Sequence, residues 1–353
     1  MTDAERIRAC VPKLVEWYSL SRRVLPWREN PGPYQVWISE IMLQQTRIEA
    51  VIPYYERFLR ELPDAEALAA VDEDRLLKLW EGLGYYSRAR NLKKAAQKIM
   101  ADFGGALPRT AQELKTLPGI GDYTAGAIAS IAYGEPAPAV DGNVLRVLSR
   151  LLCCGEDIGA QTTKTKMSGL LADCYPSGEA ASLLTEGLME LGETVCIPNG
   201  EPRCELCPVR RLCLAHQAGE TDRYPVKAPK KARRIEERTI LLLKSGDLWA
   251  IRQREDKGLL AGLWEFCNLP GCLESREAVE AARELGLTVR SIRPTAQARH
   301  IFTHVEWHMT GYLLDVEAPA GDFLWKTAGE IIENYPLPTA LRVYRDLVFS
   351  FPE

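Results

Sequence analysis

The sequence predicts a multidomain protein in which an all-α domain is followed by an α+β domain. Over the first 220 residues or so, apolar residues recur at helical intervals without strand-like alternation. A basic, proline-punctuated stretch follows, and after it two β-rich runs flank a Ser-Gly-Asp turn. The predicted organisation is therefore a helical domain at 1–220, a basic linker at 221–235 and an α+β domain at 236–353.

The composition limits the classes of function. With 353 residues, of which 46% are hydrophobic, the chain can form two cores. No run approaches the roughly 20 apolar residues of a membrane span, and no secretory leader opens the chain, so we expect a cytoplasmic protein without a membrane partner. A net charge of −4 does not by itself indicate a nucleic-acid binder, because phosphate contacts need clustered Lys and Arg. Local motifs must carry any such hypothesis.

The N-terminal segment contains two apolar helical patterns. The first includes Ile7, Leu14 and Tyr18 at helical spacing, and the second begins at Pro33 and is apolar almost all round except for Glu40. Periodicity favours an exposed Glu40, the common case, but burial would raise its pKa and let it donate a proton. Further helices are predicted at 74–80, 87–102, 110–115, 143–153 and 178–191.

The stretch 117–143 predicts a tight turn between helices. Gly119 and Gly121 can adopt backbone angles closed to other residues, and free amides at the following helix start favour a phosphate. Most Gly-x-Gly turns are purely structural, so this motif alone leaves both interpretations open. Prolines at 136 and 138 end the helix, and Asp141 is predicted at or near the cap of the next one.

The ten cysteines are unevenly placed. Four of them lie within eighteen residues, which fits a tetrahedral zinc or a cubane iron–sulfur cluster better than disulfides in a protein without a leader. Spacing alone does not decide between the two metals. The four are Cys196, Cys204, Cys207 and Cys213. The other six are expected to be buried or inert thiols: Cys10, Cys153, Cys154, Cys174, Cys267 and Cys272.

The order LPGIG, a small-residue helix and VDGN resembles the helix-hairpin-helix, or endonuclease III, superfamily of DNA glycosylases. Within this superfamily, the segment SEIMLQQT and the four clustered cysteines that follow the helical region resemble the MutY family of adenine glycosylases. The resemblance implies a [4Fe–4S] cluster in the loop 196–213, where the first gap has seven residues instead of the family's six. It also implies that Gly119 and Gly121 grip a DNA backbone, with a monovalent cation at the hairpin carbonyls.

The same resemblance assigns a catalytic set. Glu40 falls on the family's catalytic glutamate, which protonates adenine and handles the incoming water, and Asp141 stabilises the sugar cation. Asn143 and Tyr123 complete the set. Because Tyr123 stands where bifunctional relatives carry a Schiff-base lysine, the resemblance implies a monofunctional enzyme. Tyr123 could alternatively be a core aromatic residue.

Further positions match the family's base-contacting residues. Trp27, Arg28 and Glu186 correspond to the lining of the adenine pocket. Gln44 and Gln45 correspond to residues that probe the duplex from the minor groove, although solvation of both is the alternative.

The run LGYYSRAR resembles the loop whose first tyrosine wedges beside the damaged base, so Tyr85 is expected to fill the base stack. A simpler alternative is that Tyr85 and Tyr86 pack under Arg88 and Arg90.

The C-terminal part resembles a Nudix fold without its hydrolase box, since the helix AARELG carries too few acidic residues for two-metal chemistry. The resemblance therefore implies a recognition module in which Phe302, Thr303 and His304 contact 8-oxoguanine. His300, His304 and His308 are spaced by four, but β alternation is predicted to place them on one face of a strand rather than around a metal.

The resemblance implies a monomeric glycosylase that acts on the chromosome and removes adenine opposite 8-oxoguanine or guanine in double-stranded DNA, leaving an abasic site. Two alternatives stay open. One is an endonuclease III-type glycosylase for another base, and the other is a mismatch-binding protein with a relict site.

Overall fold

The computed structural model describes residues 1–29, 31–229 and 232–351, so Lys230 and Lys231 of the predicted linker lie outside it. The described chain forms two compact units. One combines Met1–Val71 with Asn91–Pro229, and the other combines Asp72–Arg90 with the chain after Pro229. None of the helices in these ranges has the length and hydrophobicity needed to cross a bilayer.

The chain up to Pro229 is helical, without a β-strand in its described residues, as predicted. Its α-helices are α1 (Asp3–Ser21), α2 (Pro26–Glu29), α3 (Pro33–Leu43), α4 (Ile48–Glu61), α5 (Ala65–Ala70), α6 (Glu73–Leu79), α7 (Ser87–Asp102), α8 (Ala111–Leu114), α9 (Asp122–Tyr133), α10 (Gly142–Leu152), α11 (Gln161–Ala172), α12 (Glu179–Thr194) and α13 (Leu214–Ala218). Short 3₁₀ turns at Cys204–Leu206 and Arg210–Leu212 precede α13.

Helix α1 packs on α12 and positions it. A capping box between Thr2 and Glu5 begins α1, and Ile7, Leu14 and Tyr18 are buried on one of its faces, as their spacing predicts. They are buried in a core shared with α10 and α12. Burial of such side chains contributes roughly 1.5–3 kcal/mol each. This core holds the helix that carries Glu186.

Helix α3 is buried on nearly every side, which explains its continuous apolar sequence. It packs against α4 and α9. Helix α9 is rich in small residues because the chain that follows it approaches closely. A Cβ atom at Gly126 would lie 2.3 Å from the Pro138 carbonyl oxygen. Small residues therefore bring the segment before α10 against α9.

The second unit contains α6, a mixed sheet and the C-terminal helices. The strand order is β3-β2-β1-β6-β5, with β4 also paired to β1 and β7 to β2; β1 and β6 are parallel and the other pairs antiparallel. The predicted α+β class and first hairpin are confirmed. The elements are β1 (Arg234–Ser245), β2 (Leu248–Gln253), β3 (Trp264–Glu265), β4 (Cys267–Pro270), α14 (Ser275–Glu284), β5 (Val289–Ile301), β6 (Val305–Val316), β7 (Leu324–Thr327), α15 (Ala328–Asn334) and α16 (Arg342–Phe349).

The prediction that three histidines share one face of a strand is wrong. His300 lies in β5, His304 in the following turn and His308 in β6. His300 pairs with Trp307 and His308 pairs with Arg299 in adjacent register positions, so the two strand histidines lie on opposite faces of the sheet. The error arose because a hairpin turn interrupts what the sequence presents as one β-rich run.

Candidate active site

Glu40 and Asp141 line one pocket of about 900 Å³, bounded by α2, α3, α9, α12 and the start of α10. Glu40 is only 6% exposed, so the periodicity-based preference for an exposed side chain is wrong. The reason is that neighbouring helices cover α3 on nearly all sides, leaving no solvated face.

The environment of Glu40 favours its protonated form. Burial raises the pKa of this carboxyl to about 7, and the nearby acidic groups Asp141 and Glu186 also raise it. Two groups act in the opposite direction: the Tyr123 hydroxyl, which donates a hydrogen bond to Glu40 Oε2 at 2.6 Å, and the Arg28 cation. Glu40 therefore keeps a substantial protonated fraction at neutral pH and can act as a proton donor.

Asp141 is the N-cap of α10, as predicted. Its Oδ1 accepts a hydrogen bond from the Val144 amide at 2.7 Å, and its Oδ2 accepts one from Asn143 Nδ2 at 2.9 Å. Burial raises the pKa of Asp141, while these hydrogen bonds oppose the increase. The helix dipole also favours an anion at this end. The carboxyl group is thus held rigidly at the pocket wall.

Arg146 holds Asn143 in place and was missed at the level of sequence. Its Nη2 donates to Asn143 Oδ1 at 2.8 Å, and its Nε donates to the Cys196 carbonyl at 2.7 Å. Arg146 lies three residues after Asn143 on α10, a spacing that could have indicated the contact. The hydrogen bonds run without a break from Asp141 through Asn143 and Arg146 to the start of the cysteine loop.

The base-contacting candidates Trp27, Arg28 and Glu186 line the same pocket. Trp27 is buried, with its ring edge-on to Tyr55 at 5.4 Å between centroids. Arg28 Nε lies 3.3 Å from Glu186 Oε1, and burial raises the pKa of Glu186. The pocket wall therefore presents a guanidinium group beside a carboxylate.

Gln44 and Gln45 lie at the pocket but beyond the helix, because α3 ends at Leu43. Gln44 Nε2 donates to Thr124 Oγ1 at 3.2 Å, so this amide is anchored rather than simply solvated. Gln45 is exposed and has a φ of +57°, a left-handed conformation that costs energy for a residue with a side chain.

In the turn before α9, the backbone conformation requires glycine at position 119 but not at position 121. Gly119 has a φ of +78°, and a Cβ atom there would lie 2.6 Å from the Asn91 Cβ. Gly121 is extended, with a φ of −96°, so the expectation of a glycine-only backbone is wrong for it. Gly121 instead serves as an N-cap without a side chain, leaving the first amides of α9 open to a ligand.

All four predicted ligand cysteines, Cys196, Cys204, Cys207 and Cys213, line a single cavity and are free thiols. Arg150 Nη1 approaches Cys196 Sγ at 3.3 Å. Within the described ranges, no three or more His, Cys, Asp or Glu side chains are gathered closely enough to hold a metal ion. The four thiols nevertheless line one cavity, and four cysteine thiolates are the donor set of an iron–sulfur cluster. Among the scattered cysteines, Cys10, Cys154 and Cys267 are buried, Cys153 and Cys174 are half-buried, and Cys272 is exposed.

Within the second unit, Tyr85 lies beside the loop at 302–304. Its hydroxyl is 3.0 Å from Thr303 Oγ1, its φ is +47°, and the residue is 47% exposed. The Arg88 guanidinium lies 5.7 Å from the Tyr85 ring centroid, so the alternative of packing under an arginine also holds in part. Phe302 packs edge-on against Trp307, and His304 is exposed.

Two family models match the chain. Residues 38–172 match the HhH-GPD superfamily of base excision DNA repair proteins, and residues 238–346 match the NUDIX domain. The relatives include the adenine DNA glycosylase of Homo sapiens, 34% identical over 90% of this chain and 69% of the relative. That of Buchnera aphidicola subsp. Acyrthosiphon pisum is 31% identical over 85% of each. The chain belongs to the adenine DNA glycosylase family.

Solved structures of other DNA glycosylases resemble the chain over about three fifths of its length. A thermostable thymine-DNA glycosylase is 27% identical with a TM-score of 0.53, covering 61% of this chain and 98% of its own. Endonuclease III in a trapped covalent complex with DNA is 25% identical with a TM-score of 0.52, covering 62% and 99%. This member of the adenine DNA glycosylase family has a helical part like that of endonuclease III, followed by a Nudix-like part. It is a DNA glycosylase of base excision repair.

Proposed function

We propose that the chain is a monofunctional glycosylase that hydrolyses the N-glycosidic bond of adenine mispaired with 8-oxoguanine or guanine in double-stranded DNA. The observation that carries this proposal is the presence of two carboxyl groups on one pocket, the buried Glu40 and the half-buried Asp141. Glycosidic bond cleavage needs an acid for the leaving group and an anion near the developing oxocarbenium ion, and this pair supplies both.

Glu40 is the acid. With a pKa raised to about 7, it can protonate the adenine base at neutral pH, which makes the base a better leaving group. Once it has lost its proton, the same carboxylate can accept a proton from the attacking water. Tyr123, hydrogen-bonded to Glu40 Oε2, orients that carboxyl group.

Asp141 is the anion. Its two oxygens are held by the Val144 amide and by Asn143, so little reorganisation is needed when positive charge develops on the sugar. Because Tyr123 offers no amine for a Schiff base, the reaction ends at the abasic site without strand cleavage.

Recognition of the two bases is divided between two groups of residues. Arg28 and Glu186 supply donors and acceptors to an extruded purine, with Trp27 forming an apolar wall. Tyr85 and the loop of Phe302, Thr303 and His304 are the proposed contacts to the opposite base. Gly119 and Gly121 open α9 toward a DNA phosphate.

Cys196, Cys204, Cys207 and Cys213 are the proposed ligands of a [4Fe–4S] cluster, and their common cavity supports this assignment. Such a cluster would hold the loop 196–213 in shape and takes no part in the steps above. A monovalent cation at the hairpin carbonyls stays a prediction from family resemblance. The protein is proposed to act as a monomer.

The decisive experiment uses the purified protein and duplexes carrying adenine opposite 8-oxoguanine, guanine or thymine. We expect base release from the first two duplexes and strand breaks only after alkali treatment. Release confined to adenine opposite thymine, or strand nicking without alkali, would contradict the proposal. A brown protein whose visible absorption spectrum is that of an iron–sulfur cluster would support the metal assignment. A colourless protein that contains zinc would contradict it.

A further inference from the structure

Besides Glu186, Arg28 is bound by another carboxylate, which is buried and which the sequence did not single out. Glu190 lies one turn after Glu186 on α12 and is 2% exposed. Its Oε2 accepts hydrogen bonds from Arg28 Nη2 at 2.9 Å and from Arg23 Nη2 at 3.0 Å, and its Oε1 accepts one from Arg23 Nε. Both oxygens are therefore occupied by arginines.

The guanidinium of Arg28 also contacts a backbone carbonyl and an aromatic ring. Its Nη1 donates to the Arg23 carbonyl at 3.3 Å, and it lies over the Tyr18 ring at 5.4 Å from the centroid. The side chain is only 9% exposed. A guanidinium has five N–H donors in a fixed plane, so the contacts to Glu190, Glu186 and Arg23 determine which edge is presented to the pocket.

We propose that Glu190 is a positioning residue for base recognition, because it holds Arg28 beside Glu186. Arg23 is the second cation that balances the charge of Glu190. This inference rests on the proposed function. Glu190 acts through Arg28, because both of its oxygens already bind arginine side chains. A carboxylate this deeply buried is costly unless paired, and here it is paired with two guanidinium groups.

Glu193 provides a matched control. It lies on the same helix and binds the same partner, Arg23 Nη2, at 2.8 Å, but its side chain is 41% exposed and no contact joins it to Arg28 among the described residues. Glu193→Gln and Glu190→Gln each remove one carboxylate charge from Arg23. Only the second also removes a carboxylate from Arg28.

The first measurement is the ratio of single-turnover rates for adenine and for purine, which lacks the exocyclic amino group, each opposite 8-oxoguanine. The exocyclic amino group donates hydrogen bonds, so its partner is the Glu186 carboxylate that Arg28 holds and not Arg28 itself. Loss of one charged hydrogen bond to Arg28 leaves Arg28 and Glu186 less firmly placed, and it is expected to reduce this ratio about tenfold in Glu190→Gln. The ratio is expected to stay within about twofold of the wild type in Glu193→Gln, as for other exposed ion pairs.

The second measurement is the pH profile of the single-turnover rate, which a purely structural role would not move. The charged and titratable groups facing Glu40 are Tyr123 from α9, Asp141 at the start of α10, Glu186 from α12 and Arg28 from α2. Arg28 lowers the pKa of Glu40. In Glu190→Gln the positive charge of Arg28 is less compensated, so it lowers the pKa of Glu40 further and the fall in rate at high pH begins at a lower pH. In Arg28→Gln that positive charge is lost, so the pKa of Glu40 rises and the fall in rate begins at a higher pH.

Glu190→Asp keeps the experiment informative if Glu190→Gln does not fold. Aspartate retains the charge but is one methylene shorter, so we expect a reduced adenine-to-purine ratio with the pH limb unmoved. The positioning role is wrong if Glu190→Gln matches Glu193→Gln in both measurements, or if Glu190→Asp keeps the wild-type ratio. Absence of adenine release from the unmutated protein would instead overturn the proposed function itself.

Discussion

The two units of the molecule present their candidate residues in opposite ways. In the first unit, Glu40 is buried and Asp141 is half-buried, and loss of solvent raises the pKa of both carboxyl groups. In the second unit, Tyr85, Thr303 and His304 are exposed or nearly so. Bond cleavage needs desolvated groups of fixed geometry, while inspection of a base in a duplex needs accessible groups. The contrast predicts that substitutions in the first unit affect the chemical step and that those in the second affect binding.

The largest effect is expected for Glu40→Gln. Glutamine keeps the size of the side chain but cannot donate a proton from an acid, so the single-turnover rate should fall by about 10³-fold or more. Affinity for the mispaired duplex should stay near the wild-type value in an electrophoretic mobility assay. A variant that still releases adenine at a similar rate would remove the basis of the contrast.

Asp141→Asn is expected to reduce the rate by about 10²-fold. Asparagine still caps α10 through its side-chain oxygen, so the melting temperature should change little, and the loss should come from the missing negative charge. A large fall in melting temperature would instead mean that the defect arises from unfolding.

The pH profile provides a finer test of the first unit. Because the reaction needs Glu40 protonated and Asp141 ionised, the single-turnover rate should fall as the pH rises through about 7, and it should also fall at acidic pH, where Asp141 takes up a proton. The Tyr123 hydroxyl lowers the pKa of Glu40, so Tyr123→Phe should raise that pKa and shift the falling limb to higher pH. A shift to lower pH would contradict this assignment.

The smallest effect is expected for the hydrogen bond between Tyr85 and Thr303. Tyr85→Phe and Thr303→Val should each weaken binding to adenine opposite 8-oxoguanine by about two- to tenfold, without changing the saturated rate. Because the two hydroxyls bind each other, the double variant should be no weaker than the worse single variant. Strictly additive losses would show that the two residues act independently.

Most of the helices and the α+β class of the C-terminal part could be predicted from the sequence, because helical periodicity, the glycines at 119 and 121 and the β-rich runs are local signals. It did not place Glu40 correctly by periodicity, since the burial of α3 depends on helices far along the chain. The resemblance of SEIMLQQT favoured a buried Glu40, which agrees with the structure, and the catalytic role that it assigned stays a prediction. The contacts of Glu190 with Arg28 and of Arg146 with Cys196 span 162 and 50 residues, so neither could be read from local spacing alone. Likewise, Gly121 resembles Gly119 in sequence but not in backbone conformation.

The segment Asp72–Arg90 interrupts one unit in sequence but belongs to the other. Trp264 Nε1 donates to Asp74 Oδ1 at 3.4 Å, and the Leu337 amide donates to Glu81 Oε1 at 3.0 Å. Deleting the chain after Pro229 would therefore strip α6 of these hydrogen-bond partners as well as removing Thr303 from Tyr85. A truncated protein would therefore differ from the intact one in the environment of residues 72–90 as well as in the missing chain, so any change in its activity would report on both.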